Sequence, residues 1–296
     1  MLAKGGGLGV LAVLMVCSGA WTSQAAPPTR APKHAKPQGS SSREAREEAM
    51  RAIPYMQLDR GSRVKVGSVL ANTTIFRRLP METIECDAKL FLFLIEHPDL
   101  VVNMWEALGV SEVELLRSGE LVFDAADKAG TRGRLEYLYR TPQLHLVYAD
   151  GSYSGSLLAR PVRGRCVLLM RSSYHESREG RPIVRCNIDA FLHLENVGAS
   201  MLAKTFQPLV TTAADHNFHE TAAFLSSVHR AAEVNYAGMQ RLTEKLTNVD
   251  DADRREFSDL TTQLAVRAAL VETRAAEATS SQPSTATRSP PRTRKR

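Results

Sequence analysis

The stretch from Ile183 to Asn196, IVRCNIDAFLHLEN, constrains the fold more than any other. Val184, Cys186, Ile188, Ala190, Leu192 and Leu194 alternate with Arg185, Asn187, Asp189, Phe191, His193 and Glu195. A period of two over so many residues specifies a long β-strand with one face on a core and the other mostly in water, the habit of antiparallel sheets. ESREGRP, just before it, reads as a hairpin loop, so the apolar run RCVLLMRSSYH is the neighbouring strand. Folding this hairpin about Arg178 and Glu179 sets Cys186 opposite Arg171, leaving Cys166 some five residues away. At about 3.3 Å per residue these two cysteines are too far apart to bridge, while a bridge from Cys86 to either stays open.

The same period marks the region upstream. RLEYLYR places Leu135, Tyr137 and Tyr139 on one face, and QLHLVYADGS places Leu144, Leu146 and Tyr148 on one face. The phase slips by one residue between the two runs, which calls for a turn or bulge at Thr141-Pro142. Glu136 and His145 lie opposite the tyrosines of their own runs and read as solvent-facing. Ahead of these strands, a weak strand near Thr74 to Arg78 precedes two short helices in CDAKLFLFLIEHPDLVVNMWEALGV. Asp87 caps the first, Pro98 interrupts it, Asp99 caps the second and Gly109 closes it.

After Gly198 the pattern becomes helical through Leu246, and DADRREFSDLTTQLAVRAALVE forms a further amphipathic helix with Phe257, Leu260, Leu264 and Val271 on one stripe. Helical phase decides the reading of HNFHETAAFLSSVHRAAEVNY. His216, His219 and Glu220 have a spacing that metal sites use. At about 100° per residue they nonetheless fall opposite the apolar stripe of Phe218, Ala222, Leu225, Ala232, Tyr236 and Met239. They read as polar-face residues, and no metal site is assigned. His229 lies within the apolar stripe and faces inward.

The ends have a different composition. Lys4 followed by LGVLAVLMVCSGAW and small residues up to Ala25 and Ala26 reads as a signal peptide over residues 1–26, which predicts export with cleavage near Ala25. Residues 27–51, rich in Pro, Ser and charge, read as a disordered linker, and residues 280–296 as a disordered basic tail. The net charge of +6 resides in these ends; with them and Lys4 set aside, the remainder carries −3. The folded part therefore offers no nucleic-acid face, whereas the tail suits an anionic envelope surface. The chain contains no P-loop, dinucleotide fingerprint, G-x-S-x-G, H-E-x-x-H or C-x-x-C, so neither a cofactor nor a catalytic set is assigned.

A weak strand, two short helices, an antiparallel meander and a long C-terminal helix, over about residues 70 to 246, form an order that resembles the START and Bet v 1-like superfamily, polyketide cyclases included. The resemblance implies an α+β helix-grip domain, placed at residues 52–246, whose curved antiparallel sheet wraps the long helix, with the extra helix at 250–275 outside that unit. One departure is visible: seven strand candidates follow the helix pair where the family has six, VELLRS or SLLAR being the doubtful member. By this resemblance an apolar small molecule sits between sheet and helix, lined by His229, Phe218, Leu225, Tyr236, Tyr137, Tyr139, Tyr148 and Ile188. A closed core made of the same residues is the other reading. Three functions follow: a non-enzymatic binding protein, a cyclase- or hydrolase-type enzyme using His229 with Tyr174 and His175, or an envelope interaction protein.

Overall fold

The computed structural model describes residues 39–155, 161–195, 197–198 and 206–280. The segment read as a signal peptide and the basic tail beyond residue 280 lie outside these residues. Eight antiparallel strands form one sheet: β1 (Ile75–Arg78), β2 (Glu82–Glu85), β3 (Glu114–Gly119), β4 (Val122–Ala126), β5 (Thr131–Thr141), β6 (Leu144–Tyr153), β7 (Val162–Glu176) and β8 (Pro182–Leu194). Their order is β1-β8-β7-β6-β5-β4-β3, with β2 also paired to β8. Six strands follow the helix pair among the described residues. VELLRS supplies one of them as β3, while SLLAR lies outside the described residues.

The helices are α1 (Arg43–Ala52), α2 (Arg60–Ala71), α3 (Ala88–Glu96), α4 (Pro98–Ala107), α5 (Gln207–Val234), α6 (Tyr236–Glu244) and α7 (Asp251–Ser280). The long α5 crosses the inner face of the curved sheet beside the α3–α4 pair, which is the helix-grip arrangement, and α7 packs across α5 and α6. Asp87 caps α3 by accepting from the Lys89 and Leu90 amides. Pro98 is not a break between helices but the first residue of α4, where a missing N–H costs nothing, and Asp99 lies inside the first turn, buried and paired with Arg117. Gly109 closes α4 at φ +70°, a conformation that glycine adopts without strain.

The sheet buries both faces, not one. The inner face joins α3, α4, α5 and α7 in one apolar core, while the outer face buries Leu146, Tyr148, Val167, Leu169 and Phe191 under α1 and α2. Residues 43–51, expected as disordered linker, form α1 because Ser42 caps it and Ala45 and Ala49, one turn apart, seat on the outer face. Residues 60–71 form α2, capped by Asp59 and with Val66, Val69 and Leu70 inside. Tertiary packing outweighs the β-preference of its valines here.

A polar residue on the outer face of β8 becomes an anchor. Asp189 is fully buried; Arg78 Nε and Arg171 Nη2 donate to it at 2.6 and 2.7 Å, and Glu48 on α1 accepts from both arginines at 2.8 and 3.2 Å. This network ties α1 to β1, β7 and β8. The three cysteines beyond residue 38 are buried free thiols. Cys186 stands opposite Ser172 and Cys166 opposite Leu192, so the hairpin keeps those two apart. Replacing Asp189 by Ala strands two arginines with one exposed partner, and should destabilise the fold by about 3 kcal/mol in denaturant unfolding. Asp124→Asn, which breaks an exposed pair with Arg134, should cost less than about 1 kcal/mol in the same measurement.

Candidate ligand cavity

An apolar cavity of about 130 Å³ lies between α5, the α3–α4 pair and the inner face of the sheet. Three elements build it by their own periodicities. Phe218, Thr221, Ala222 and Leu225 come from one side of α5 at the three- and four-residue spacing of a helix face. Pro98, Val101, Val102 and Trp105 come from α4 by the same rule. From the sheet, Tyr137, Val147 and Leu168 form one cross-strand row, and Met170 opposite Ile188 forms the next.

The hydroxyls and the thiol of the lining are engaged by the wall itself. The Tyr137 hydroxyl donates to the Ile95 carbonyl, and the Thr221 hydroxyl donates to the Asn217 carbonyl at 2.9 Å. The Ser172 hydroxyl donates to Cys186 Sγ at 3.7 Å. Burial pushes the Cys186 thiol up to about 12 and raises the Tyr137 phenol further, so neither is a thiolate or phenolate near neutral pH. The cavity offers shape and apolar surface, with no ionised group.

Phe218, Leu225, Tyr137 and Ile188, from the expected set, lie in this lining. The other four lie elsewhere, for local reasons. An extra residue in β5 between Tyr137 and Tyr139 shifts the register, so Tyr139 joins the outer cluster. The bulge thus falls three residues before the Thr141-Pro142 position expected for it. In β6 the inner phase is His145, Val147 and Ala149, which puts Tyr148 on the outer face beneath α2. Tyr236 is 44% exposed at the first position of α6, just past the helix break at Asn235 (φ −138°, ψ 55°), while Met239 one turn on is buried.

His229 is buried one turn beyond Leu225 and outside the lining. Its Nδ1 accepts from the Asp87 amide at 3.4 Å and its Nε2 lies 3.4 Å from Glu233 Oε1, so it joins α5 to the start of α3. Of its supposed enzymatic partners, Tyr174 donates to the Pro142 carbonyl at 2.6 Å, and the exposed His175 pairs with Ser173 at 2.9 Å. His145, read as solvent-facing, is fully buried with Nε2 3.4 Å from Glu96 Oε1. His216 and His219 each face one carboxylate, Glu220 at 3.8 Å and Glu82 at 3.1 Å. Among the described residues no three His, Cys, Asp or Glu side chains converge. Trp105 and Met170 are lining residues the sequence reading did not select. The spacing of Pro98, Val101 and Trp105 carried the signal for the first, and a strand apolar in both phases hid the second.

Fold and cavity together define an α+β helix-grip domain with an apolar internal site. No protein-family model matches the sequence, and no curated protein matches it. Among solved structures the chain is similar to a conserved protein from Geobacillus kaustophilus, at 10% identity over 49% of this chain and 93% of that one, with a TM-score of 0.34. It is similar to norcoclaurine synthase from Thalictrum flavum, at 12% identity over 52% and 88%, with a TM-score of 0.34. It is also similar to Ara h 8.0201, at 13% identity over 51% and 99%, with a TM-score of 0.29. The latter two are Bet v 1-like helix-grip proteins. Likeness at this level says nothing of activity, and the fold assignment here rests on strand order and the gripping helix.

Burial pushes the pKa of His229 and of His145 below the usual histidine value. A histidine whose folded pKa is depressed contributes stability that is present above the unfolded value of about 6.5 and lost as the pH falls from there through the lower folded value. Stability measured by denaturant unfolding should therefore drop between pH 7 and pH 5. The slope should be shallower in His229→Gln, by up to about 1.4 kcal/mol per pH unit.

Proposed function

We propose that this protein is an exported, non-enzymatic binding protein for a small apolar molecule held between the sheet and α5. The observation that carries the reading is the cavity itself, apolar, with its tyrosine and threonine hydroxyls and its cysteine engaged within the wall. A ligand lacking hydrogen-bonding groups leaves no partner of its own unsatisfied there.

Volume bounds the ligand. A cavity of about 150 Å³ lined by aliphatic and aromatic side chains stays dry and admits benzene. The 130 Å³ space beside Trp105 and Phe218 suits a single ring or a short alkyl chain. Left unfilled, a void of this size costs about 3 kcal/mol at roughly 24 cal/mol per Å³, a cost that a bound hydrocarbon offsets. Export is supported by Lys4, the apolar run after it and the small residues at Ala25 and Ala26. Among the described residues no helix is long and apolar enough to cross a membrane.

An enzymatic reading has no comparable support, since His229 is engaged between Asp87 and Glu233 outside the lining. Saturating toluene should raise the melting temperature by a few degrees, because a ligand that binds only the folded state stabilises it by mass action. Ala222→Phe, which fills the cavity, should abolish that rise. No shift with the wild type, or an equal shift in both proteins, would contradict the proposal.

A further inference from the structure

The outer face of the sheet, beyond the reach of α2, has a charge pattern that the net charge of the folded part conceals. Asp124, Arg134, Asp150 and Arg165 form one cross-strand row on β4, β5, β6 and β7. Signs alternate along it. Arg134 grips Asp124 with both ends of its guanidinium at 2.7 and 3.1 Å, and Arg165 pairs with Glu195 at 2.7 Å. The next row toward the strand ends is Ala126, Arg132, Ser152 and Arg163, which holds two arginines and no acid. Arg132 has no hydrogen-bond or ion-pair partner among the described residues, and Arg163 has only Asp150 at 4.0 Å. The α2 helix stops at the previous row, where Arg165 donates to Ser68 Oγ at 3.3 Å. Arg132, Ser152 and Arg163 line a shallow surface depression together with Arg134 and Asp150 of the previous row, and its bed includes Gly133 and Gly151. Gly151 is required there, because a Cβ would come within 2.7 Å of the Arg132 carbonyl oxygen.

We propose that Arg132, Ser152 and Arg163 form a binding site for a phosphate group. Strands β5 and β7 flank β6 at about 4.8 Å on either side, so the two arginine stems rise about 10 Å apart with the serine hydroxyl between them. Guanidinium forks donate to an oxyanion at about 2.8 Å, and this separation lets two forks engage one tetrahedral ion from opposite edges while the hydroxyl donates from below. A phosphate, with more acceptor oxygens and more negative charge than a carboxylate, can engage both forks and the hydroxyl at once. The phosphate belongs to a soluble phosphate compound or to a lipid headgroup, two sources with the same local chemistry. This site stands apart from the apolar cavity on the opposite face and does not depend on it.

The test is titration of inorganic phosphate into the ¹⁵N-labelled full chain, following the Ser152 and Gly133 amides so that the basic tail does not contribute to the readout. The wild type should show saturable shifts at both amides. Arg132→Gln with Arg163→Gln should weaken the apparent affinity at least tenfold, and Ser152→Ala should weaken it a few-fold. Lysine at both arginine positions should also weaken it, since charge is kept but the forks are lost. Arg178→Gln, in the exposed hairpin at the far end of β7, should leave it unchanged. Co-sedimentation with phosphatidylcholine vesicles, with and without phosphatidic acid, separates the sources. Loss of acid-dependent binding in the double glutamine variant assigns the site to a headgroup, and retention assigns it to soluble phosphate. Absence of saturable shifts at the two amides, affinity in the glutamine variant within twofold of wild type, undiminished affinity in the lysine variant, or an equal loss in Arg178→Gln would overturn the site. Melting curves of the variants that match wild type exclude misfolding as the cause of a loss.

Discussion

The β7–β8 hairpin must bury both of its faces, and the remaining elements are arranged around that requirement. On one side Cys166, Leu168, Ala190 and Leu192 meet the α3–α4 pair and α5; on the other Val167, Leu169 and Phe191 meet α1 and α2. Neither layer of helices is dispensable, since removing either exposes a row of large apolar side chains. A charged residue within such a strand is tolerated only when fully partnered, and Asp189 meets the condition through Arg78 and Arg171. The covering of the outer face by α1 thus depends on one carboxylate as well as on Ala45 and Ala49.

The two sides are filled differently. The outer layer closes on aromatic residues, Phe76 and Phe191 lying 5.0 Å apart between ring centres. The inner layer brings Ala222 of α5 over Tyr137, Val147 and Leu168, and a small residue at that point leaves a space that Trp105 and Phe218 border without filling. The same helix is fastened at its ends by polar contacts, Arg77 to Asp215 near its start and His229 to the Asp87 amide toward its end. Fixing the helix at both ends holds the space open between them, since the core cannot collapse onto it without breaking one of these contacts.

Legibility from sequence followed from how many faces each strand buries. In β8 the inward phase was readable because its outer phase carries Arg185, Asn187 and Asp189. In β6 both phases are apolar, Leu146 and Tyr148 against Val147 and Ala149, and alternation alone cannot tell which faces the gripping helix. The bulge in β5 then carried Tyr139 away from Tyr137 although the two are spaced for one face. Angular phase placed Phe218, Ala222, Leu225 and Ala232 inside correctly along continuous α5, and past the break at Asn235 it held for Met239 but not for Tyr236. The α1 segment was hidden because its composition is that of a linker while the spacing of Ala45 and Ala49 is that of a packed helix.

The proposed binding function requires that the space between α5 and the sheet be a ligand site and not a packing defect that closes in solution. A crystal of the protein equilibrated with xenon tests it most directly, because xenon enters preformed apolar cavities without needing a polar contact. A preformed site gives a single strong xenon peak bordered by Trp105, Leu168, Phe218 and Leu225, with the surrounding side chains unmoved. Empty density there, with the Ala222 side of α5 drawn onto Val147 and Leu168, would contradict it.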